Sequence, residues 1–246
     1  MPEPIIYVRT TIRWDTVTRT ALDRQGMHGK SATALRTFIQ RRTIDIWNDT
    51  FKIDYCTFRA RIQALAEQNL RATGLEIIYG PNQLQQLLQS NRAAWIIPVD
   101  DDDFFHPQIG DAVRHRDGDV LHWRDWYLRR GRVIPRAWLA QFATNGYAVR
   151  AAVVRTRGVS VVMQHKAART LLRKQRIVRL GGRLSAANKS IASVRHLLEL
   201  TDPARKSIGL RECAELIVAR PFAKTPVWLT PYVRALRNLH LGLLHG

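Results

Sequence analysis

The sequence predicts an α/β fold: a mixed, mostly parallel sheet flanked by helices, followed by a basic helical C-terminal part. Three observations predict it. Strand-like apolar runs alternate with helical periodicity through the first half of the chain. Those runs are almost continuously apolar, as in a sheet covered on both faces. The third run leads directly into four aspartates, Asp100 to Asp103, and open α/β sheets place their ligands beyond the carboxyl ends of strands.

Each element has its own signal. Ile5-Ile6-Tyr7-Val8 reads as a first, buried strand. Ile44, Trp47, Phe51, Tyr55, Phe58, Ile62 and Leu65 recur at spacings of three and four, the stripe of one long helix or of two end to end. Gly74 breaks that pattern, and residues 75–79 predict a second strand. Gly80-Pro81 suits a turn into a short amphipathic helix bearing Leu84, Leu87 and Leu88. Residues 94–99 predict the third strand. The second half is less regular. Residues 120–127 and 132–138 suggest a hairpin around Arg130-Gly131, and 147–154 a further strand. Residues 159–176 and 185–200 read as helices, and Leu229, Val233, Leu236, Leu239 and Leu243 as the stripe of a C-terminal one.

Composition narrows the function classes. The chain has 246 residues, 46% of them hydrophobic and 24% charged, a globular balance. Its two cysteines, Cys56 and Cys213, form no CxxC, and no HExxH occurs, which argues against a disulfide framework, a zinc ribbon or a zinc protease. No apolar run approaches the ~20 residues of a membrane span, and Met1-Pro2-Glu3-Pro4 does not open a signal peptide. The expected location is the cytoplasm, with peripheral contact at the inner membrane face. The net charge is +19, and it is uneven: residues 1–103 carry 13 basic and 12 acidic side chains, and residues 104–246 carry 26 and 8. Such a surface attracts nucleic acid, anionic lipid or phosphorylated small molecules.

The aspartates carry the chemistry. Four adjacent carboxylates repel one another unless a cation neutralises them. In an extended segment Asp100 and Asp102 point the same way. Two hard oxygen ligands suit Mg²⁺ or Mn²⁺, which takes its remaining ligands from water and substrate phosphates. The ordinary alternative is a solvated acidic turn.

The run Trp95-Ile96-Ile97-Pro98-Val99-Asp100-Asp101-Asp102-Asp103-Phe104-Phe105-His106-Pro107 resembles the DxD region of GT-A glycosyltransferases, of the family-2-like and bacterial rhamnosyltransferase-like kind. Residues 51–70, with Gln68, and Thr144-Asn145-Gly146-Tyr147-Ala148 are similar to other parts of such proteins. The resemblance implies a metal-dependent hexosyltransferase that moves a sugar from a nucleotide-sugar donor to a carbohydrate or glycolipid acceptor, anionic or lipid-linked. It implies that Asp100 and Asp101 contact the donor, that Asp102 ligates the metal with Asp100 beside it, and that Asp103 is catalytic, near the donor sugar or the metal. It also implies one catalytic domain over 1–200, with a nucleotide-sugar half (1–103) and an acceptor half (104–200), and a helical extension over 201–246.

Other constellations have ordinary alternatives. Gly26-Met27-His28-Gly29-Lys30-Ser31 lacks the glycine a phosphate loop needs at position 24, which is Arg24. His106 suits a cap on the following helix. His165 is a candidate contact for diphosphate or metal, against a plain surface or core role. Asp125, between Trp123 and Trp126 in its neighbourhood, is the first choice of general base, against an ion pair with Arg124 or Arg129. Glu212 and Glu215 look like salt-bridge partners. Arg169, Arg173, Lys174, Arg176, Arg179 and Arg183 form the densest basic stretch, suited to phosphates, to an anionic membrane or to solvent. A basic nucleic-acid-binding protein or nuclease is the runner-up function, with no helix-turn-helix, zinc or RNP-like signature behind it. A non-catalytic membrane-surface protein is the third.

Overall fold

The computed structural model describes residues 3–9, 29–129, 131–135, 145–163, 165–188, 209–219 and 225–245. In chain order these form β1 (Glu3–Arg9), α1 (Ala32–Thr50), α2 (Tyr55–Arg71), β2 (Glu76–Tyr79), α3 (Gly80–Gln89), β3 (Ala93–Asp100), β4 (Phe104–Phe105) and α4 (Ile109–Arg114). They continue with β5 (Val120–Arg129), β6 (Arg132–Pro135), β7 (Tyr147–Arg150), α5 (Ala151–Arg157), α6 (Ser160–Met163), α7 (His165–Leu171), β8 (Ile177–Asn188), α8 (Leu210–Ala219) and α9 (Thr230–His245).

The strands lie in the order β2-β1-β3-β7-β5-β8-β4, with β6 paired to β5. β1 is parallel to both β2 and β3. β7 is antiparallel to β3 and to β5, and β4 is antiparallel to β8. The parallel strands are thus the three of the first half, as their rhythm predicts, and the antiparallel pairs belong to the second. The order 2-1-3 makes the gap between β1 and β3 a topological switch point, where such sheets bind ligands.

The chain divides into two compact units, one drawn from 1–10, 65–127 and 134–188, the other from 11–64, 128–133 and 189–246. In the first, strand alternation sends side chains to two buried clusters. Ile5, Tyr7, Ile96, Val120, Tyr147 and Val149 face one, with Leu84, Leu87 and Leu88 of α3. Ile6, Val8, Trp95, Ile97, Leu121 and Trp123 face the other.

In the second unit the aromatic stripe forms as predicted, in its two-helix version. Trp47 packs on Phe51, Tyr55 and Phe58 at centroid distances of 4.8, 5.5 and 4.8 Å. The break at residues 51–54 is held by Trp47 Nε1 donating to the Ile53 carbonyl at 2.8 Å and by Asp54 capping α2, its Oδ1 accepting from Thr57 N at 2.9 Å. α9 presents His240 edge-on to Phe58, centroids 5.3 Å apart. Arg211 and Glu215 pair at 3.4 Å on α8, as expected of that helix, while Glu212 stands exposed in its first turn.

Three readings of the second half are corrected. The strand expected over 147–154 ends at Arg150, and a helix begins at Ala151. β7 reaches the start of β3 there, pairing Arg150 with Trp95, and Arg150 bonds the Gly118 and Arg116 carbonyls, so the ladder stops. The helix expected over 159–176 is two short ones, α6 and α7. The helix expected from Ser185 is strand to Asn188; its remainder, 189–200, lies outside the described residues, as does 136–138 of the hairpin. Ser185, Ala186 and Ala187 are fully buried there, small enough for Phe104 and Phe105 of β4 to pair against them, and tertiary pairing overrides alanine's helical preference. Among the described residues no helix is long and apolar enough to cross a membrane.

Candidate functional site

The carboxyl ends of β1 and β3 place Arg9 and Asp100 side by side, in register. Arg9 is 4% exposed, and its Nη2 lies 3.0 Å from Asp100 Oδ1. The Asp101 N–H donates to the Arg9 carbonyl at 3.2 Å, extending the parallel ladder by one bond.

After Asp100 the chain turns. The Asp103 N–H donates to the Asp100 carbonyl at 3.1 Å, a β-turn with Asp101 and Asp102 at its centre. This corrects the extended reading: two-residue alternation does not place Asp100 and Asp102 together, because the backbone reverses between them. Asp102 is 8% exposed at the turn, and Asp103 is fully buried, with Oδ1 accepting from Asn188 N at 2.6 Å. The aspartates therefore have different surroundings: an ion pair for Asp100, a turn centre for Asp101 and Asp102, and a backbone tie to β8 for Asp103.

Residues that the sequence did not single out hold this turn. Asn69, on the last turns of α2, is fully buried. Its Nδ2 donates to the Phe105 carbonyl at 3.0 Å, and its Oδ1 accepts from Phe105 N at 2.6 Å. One amide thus satisfies both backbone groups of the residue two beyond the aspartates, as a neighbouring strand would. Trp123 Nε1 donates to Ser185 Oγ at 3.0 Å, and Trp123 lies edge-on to Phe105 at 6.5 Å. His106 caps the approach to α4 as expected: Nδ1 accepts from Gln108 N at 3.1 Å, and burial holds its pKa below the ordinary value.

The second group lies on β5. Val149 of β7 stands opposite both Ile96 and Val120, so Arg124, four residues on, is level with Asp100. Two strand spacings separate them, about 10 Å. Alternation puts Arg124 and Trp126 on the face of Val120 and Asp100, and Asp125 on the face of Trp123. Asp125 is 4% exposed. The guanidinium of Arg183 lies over the Trp126 ring, 4.8 Å from its centroid. The basic stretch is not one uniform face: Arg176 is 2.6 Å from Asp117, Arg183 sits on Trp126, and Arg173 and Lys174 are exposed in a turn. His165 begins α7, and its side chain lies outside the described residues, as do residues 26–28 of the glycine-containing loop.

Among the described residues, no three His, Cys, Asp or Glu side chains form a metal-holding group. One or two carboxylates would suit a hard cation completed by water and phosphate oxygens rather than a closed zinc cage. A cleft of about 340 Å³ lies at the other end of β3, lined by Ala93, Ala94, Arg114, Arg150 and Arg155 among others. It is remote from the aspartate turn, and Glu3 is its sole acid among the described residues.

No protein-family model matches this chain, and no curated protein does. Solved structures similar to it include S. aureus TarS 1–349 in complex with UDP-GlcNAc and S. aureus TarS 1–349. Both are 12% identical to it, with TM-scores of 0.37 and 0.35, over 98% of this chain and 81% of theirs.

Proposed function

We propose that this chain is a glycosyltransferase that uses a nucleotide-sugar donor and a divalent cation. One observation carries the reading: an aspartate turn at the β1–β3 switch point, tied down by Arg9, Asn69 and Asn188. A solvated acidic turn would need no such anchoring. In the reaction, the acceptor hydroxyl oxygen bonds to the anomeric carbon as the bond from that carbon to the diphosphate breaks. The electron pair leaves with the diphosphate, and the hydroxyl proton passes to a base.

Asp102 is the proposed ligand of Mg²⁺ or Mn²⁺, and Asp100, which pairs with Arg9, is proposed to reach the donor nucleotide; bound at Asp102, the cation would offset the charge developing on the leaving diphosphate. Asp101 and His165 are proposed to contact the donor, and Asp103 to fix the turn beside the donor sugar. Asp125, largely buried on β5, is proposed as the base. Peripheral contact with an anionic membrane is proposed from the net charge alone.

The deciding experiment is nucleoside-diphosphate binding with and without Mn²⁺, and sugar-nucleotide turnover, for the wild type and Asp102→Asn. Asparagine keeps the shape and removes the charge. Mn²⁺-dependent binding should weaken, and turnover should fall by about 10²–10³, as for other interactions at a developing charge. Equal behaviour of the two proteins, both folded by thermal melt, removes the reading.

A further inference from the structure

Arg183 is placed unusually for a surface cation. It is half-buried, and its Nε is buried with no hydrogen-bond partner among the described residues. Its guanidinium carbon lies over the Trp126 ring, 4.8 Å from the centroid. Burial, and then the charge of Arg124, hold its pKa below the ordinary value, and the attraction of Asp125 counts for less. The Arg124 guanidinium thus lies close enough for its charge to act on Arg183.

Stacking on an indole fixes the guanidinium plane and leaves its edge to bind. An edge presented this way matches an oxyanion, which accepts two parallel N–H bonds. An oxyanion would also offset the repulsion between Arg124 and Arg183. The position suits a second substrate. Arg124 is level with Asp100 and two strand spacings away, about 10 Å, which is more than a pyranose ring and less than a disaccharide.

From this geometry we infer that Arg124, Arg183 and Trp126 form an acceptor subsite that selects a sugar bearing a phosphate or carboxylate group. The inference rests on the glycosyl-transfer reading for the word acceptor, while the oxyanion site stands on its own geometry. It deepens that reading by naming the substrate class: a charged sugar, in preference to a neutral one.

The test measures binding of glucose 6-phosphate, glucuronate and glucose to the full chain by titration calorimetry, without metal or nucleotide. The two anionic sugars should bind at least tenfold more tightly than glucose, and their ratio tells a phosphate site from a carboxylate site. Arg183→Gln should lose that advantage. Arg183→Lys should recover only part of it, because lysine keeps the charge without the planar fork. The double variant Arg173→Gln/Lys174→Gln, which removes two exposed charges, should bind as the wild type does. Equal binding of glucose and the charged sugars overturns the proposal. So does an equal loss in the Arg173/Lys174 variant, which would make the attraction one of diffuse charge. If Arg183→Gln melts early, Trp126→Phe and Arg183→Lys carry the same comparison. The two readings fail separately: a wild type that binds charged sugars but no nucleoside diphosphate with Mn²⁺ keeps the oxyanion site and loses glycosyl transfer.

Discussion

Asn69 takes the place of a strand. β4 is two residues long, and on its own it could not hold the chain that follows the aspartates. The Asn69 amide closes a two-bond ladder on Phe105 from the end of α2, inside the core. Removing it leaves a buried N–H and a buried carbonyl without partners, each costing about 1–3 kcal/mol. Asn69→Ala should therefore lower unfolding stability by about 2–4 kcal/mol, measured by denaturant titration. A surface role would give a change within ~0.5 kcal/mol. Arg9 belongs to the same scale. A buried ion pair adds little net stability compared with apolar packing, but it sets a register. Here it ties the last residue of β1 to the last residue of β3, at the mouth of the proposed site.

At the scale of elements, α9 carries a titratable group in the wrong medium. His240 is fully buried, its Nδ1 lies 2.6 Å from the Leu236 carbonyl, and burial pushes its pKa down to about 4, only partly opposed by that bond. The unfolded chain binds this proton near pH 6.5 and the folded chain does not until about pH 4. Between those values the unfolded state holds more protons, so stability falls as pH falls and levels off below the lower one. The expected loss is about 3 kcal/mol across the window, read from melts at stepped pH. His240→Leu should flatten the profile between those pH values; an unchanged slope would place the acid sensitivity elsewhere. The same scale explains what was legible in the sequence. The strands β1, β2 and β3 and the Trp47–Phe58 stripe were legible because each is a long apolar run with a clean period. The end of β7 was not, because Tyr147-Ala148-Val149-Arg150-Ala151-Ala152 has no period of its own, and pairing with β3 decides where strand gives way to helix. The last residues of β8 were not, because small residues with helical preference were recruited by β4. That β3 ends at the four aspartates was legible. The geometry there was not, because a turn bonded from Asp103 to Asp100 and an amide contributed 36 residues upstream leave no local pattern.

For the whole molecule the governing quantity is uncompensated charge. Residues 104–246 hold 26 basic and 8 acidic side chains, so most of these cations can have no acidic partner within their own half. Such ion pairs as Arg176–Asp117 and Arg211–Glu215 are exposed, and pairs of that kind contribute little. Like charges on a folded surface lie closer together than in the unfolded chain, so repulsion works against the compact state. Raising ionic strength from about 0.01 M to about 0.15 M shortens the screening length from about 30 Å to about 8 Å. That removes the long-range repulsion and leaves the buried Arg9–Asp100 contact nearly untouched, because buried pairs are screened far less. The thermal midpoint should therefore rise with sodium chloride over this range, by several degrees. The rise should saturate once the screening length falls below the spacing of neighbouring arginines. A chain stabilised mainly by surface ion pairs would show the opposite slope. A midpoint that falls with salt would mean that the excess charge is compensated locally, and the attraction expected for phosphates and anionic surfaces would then have no field behind it.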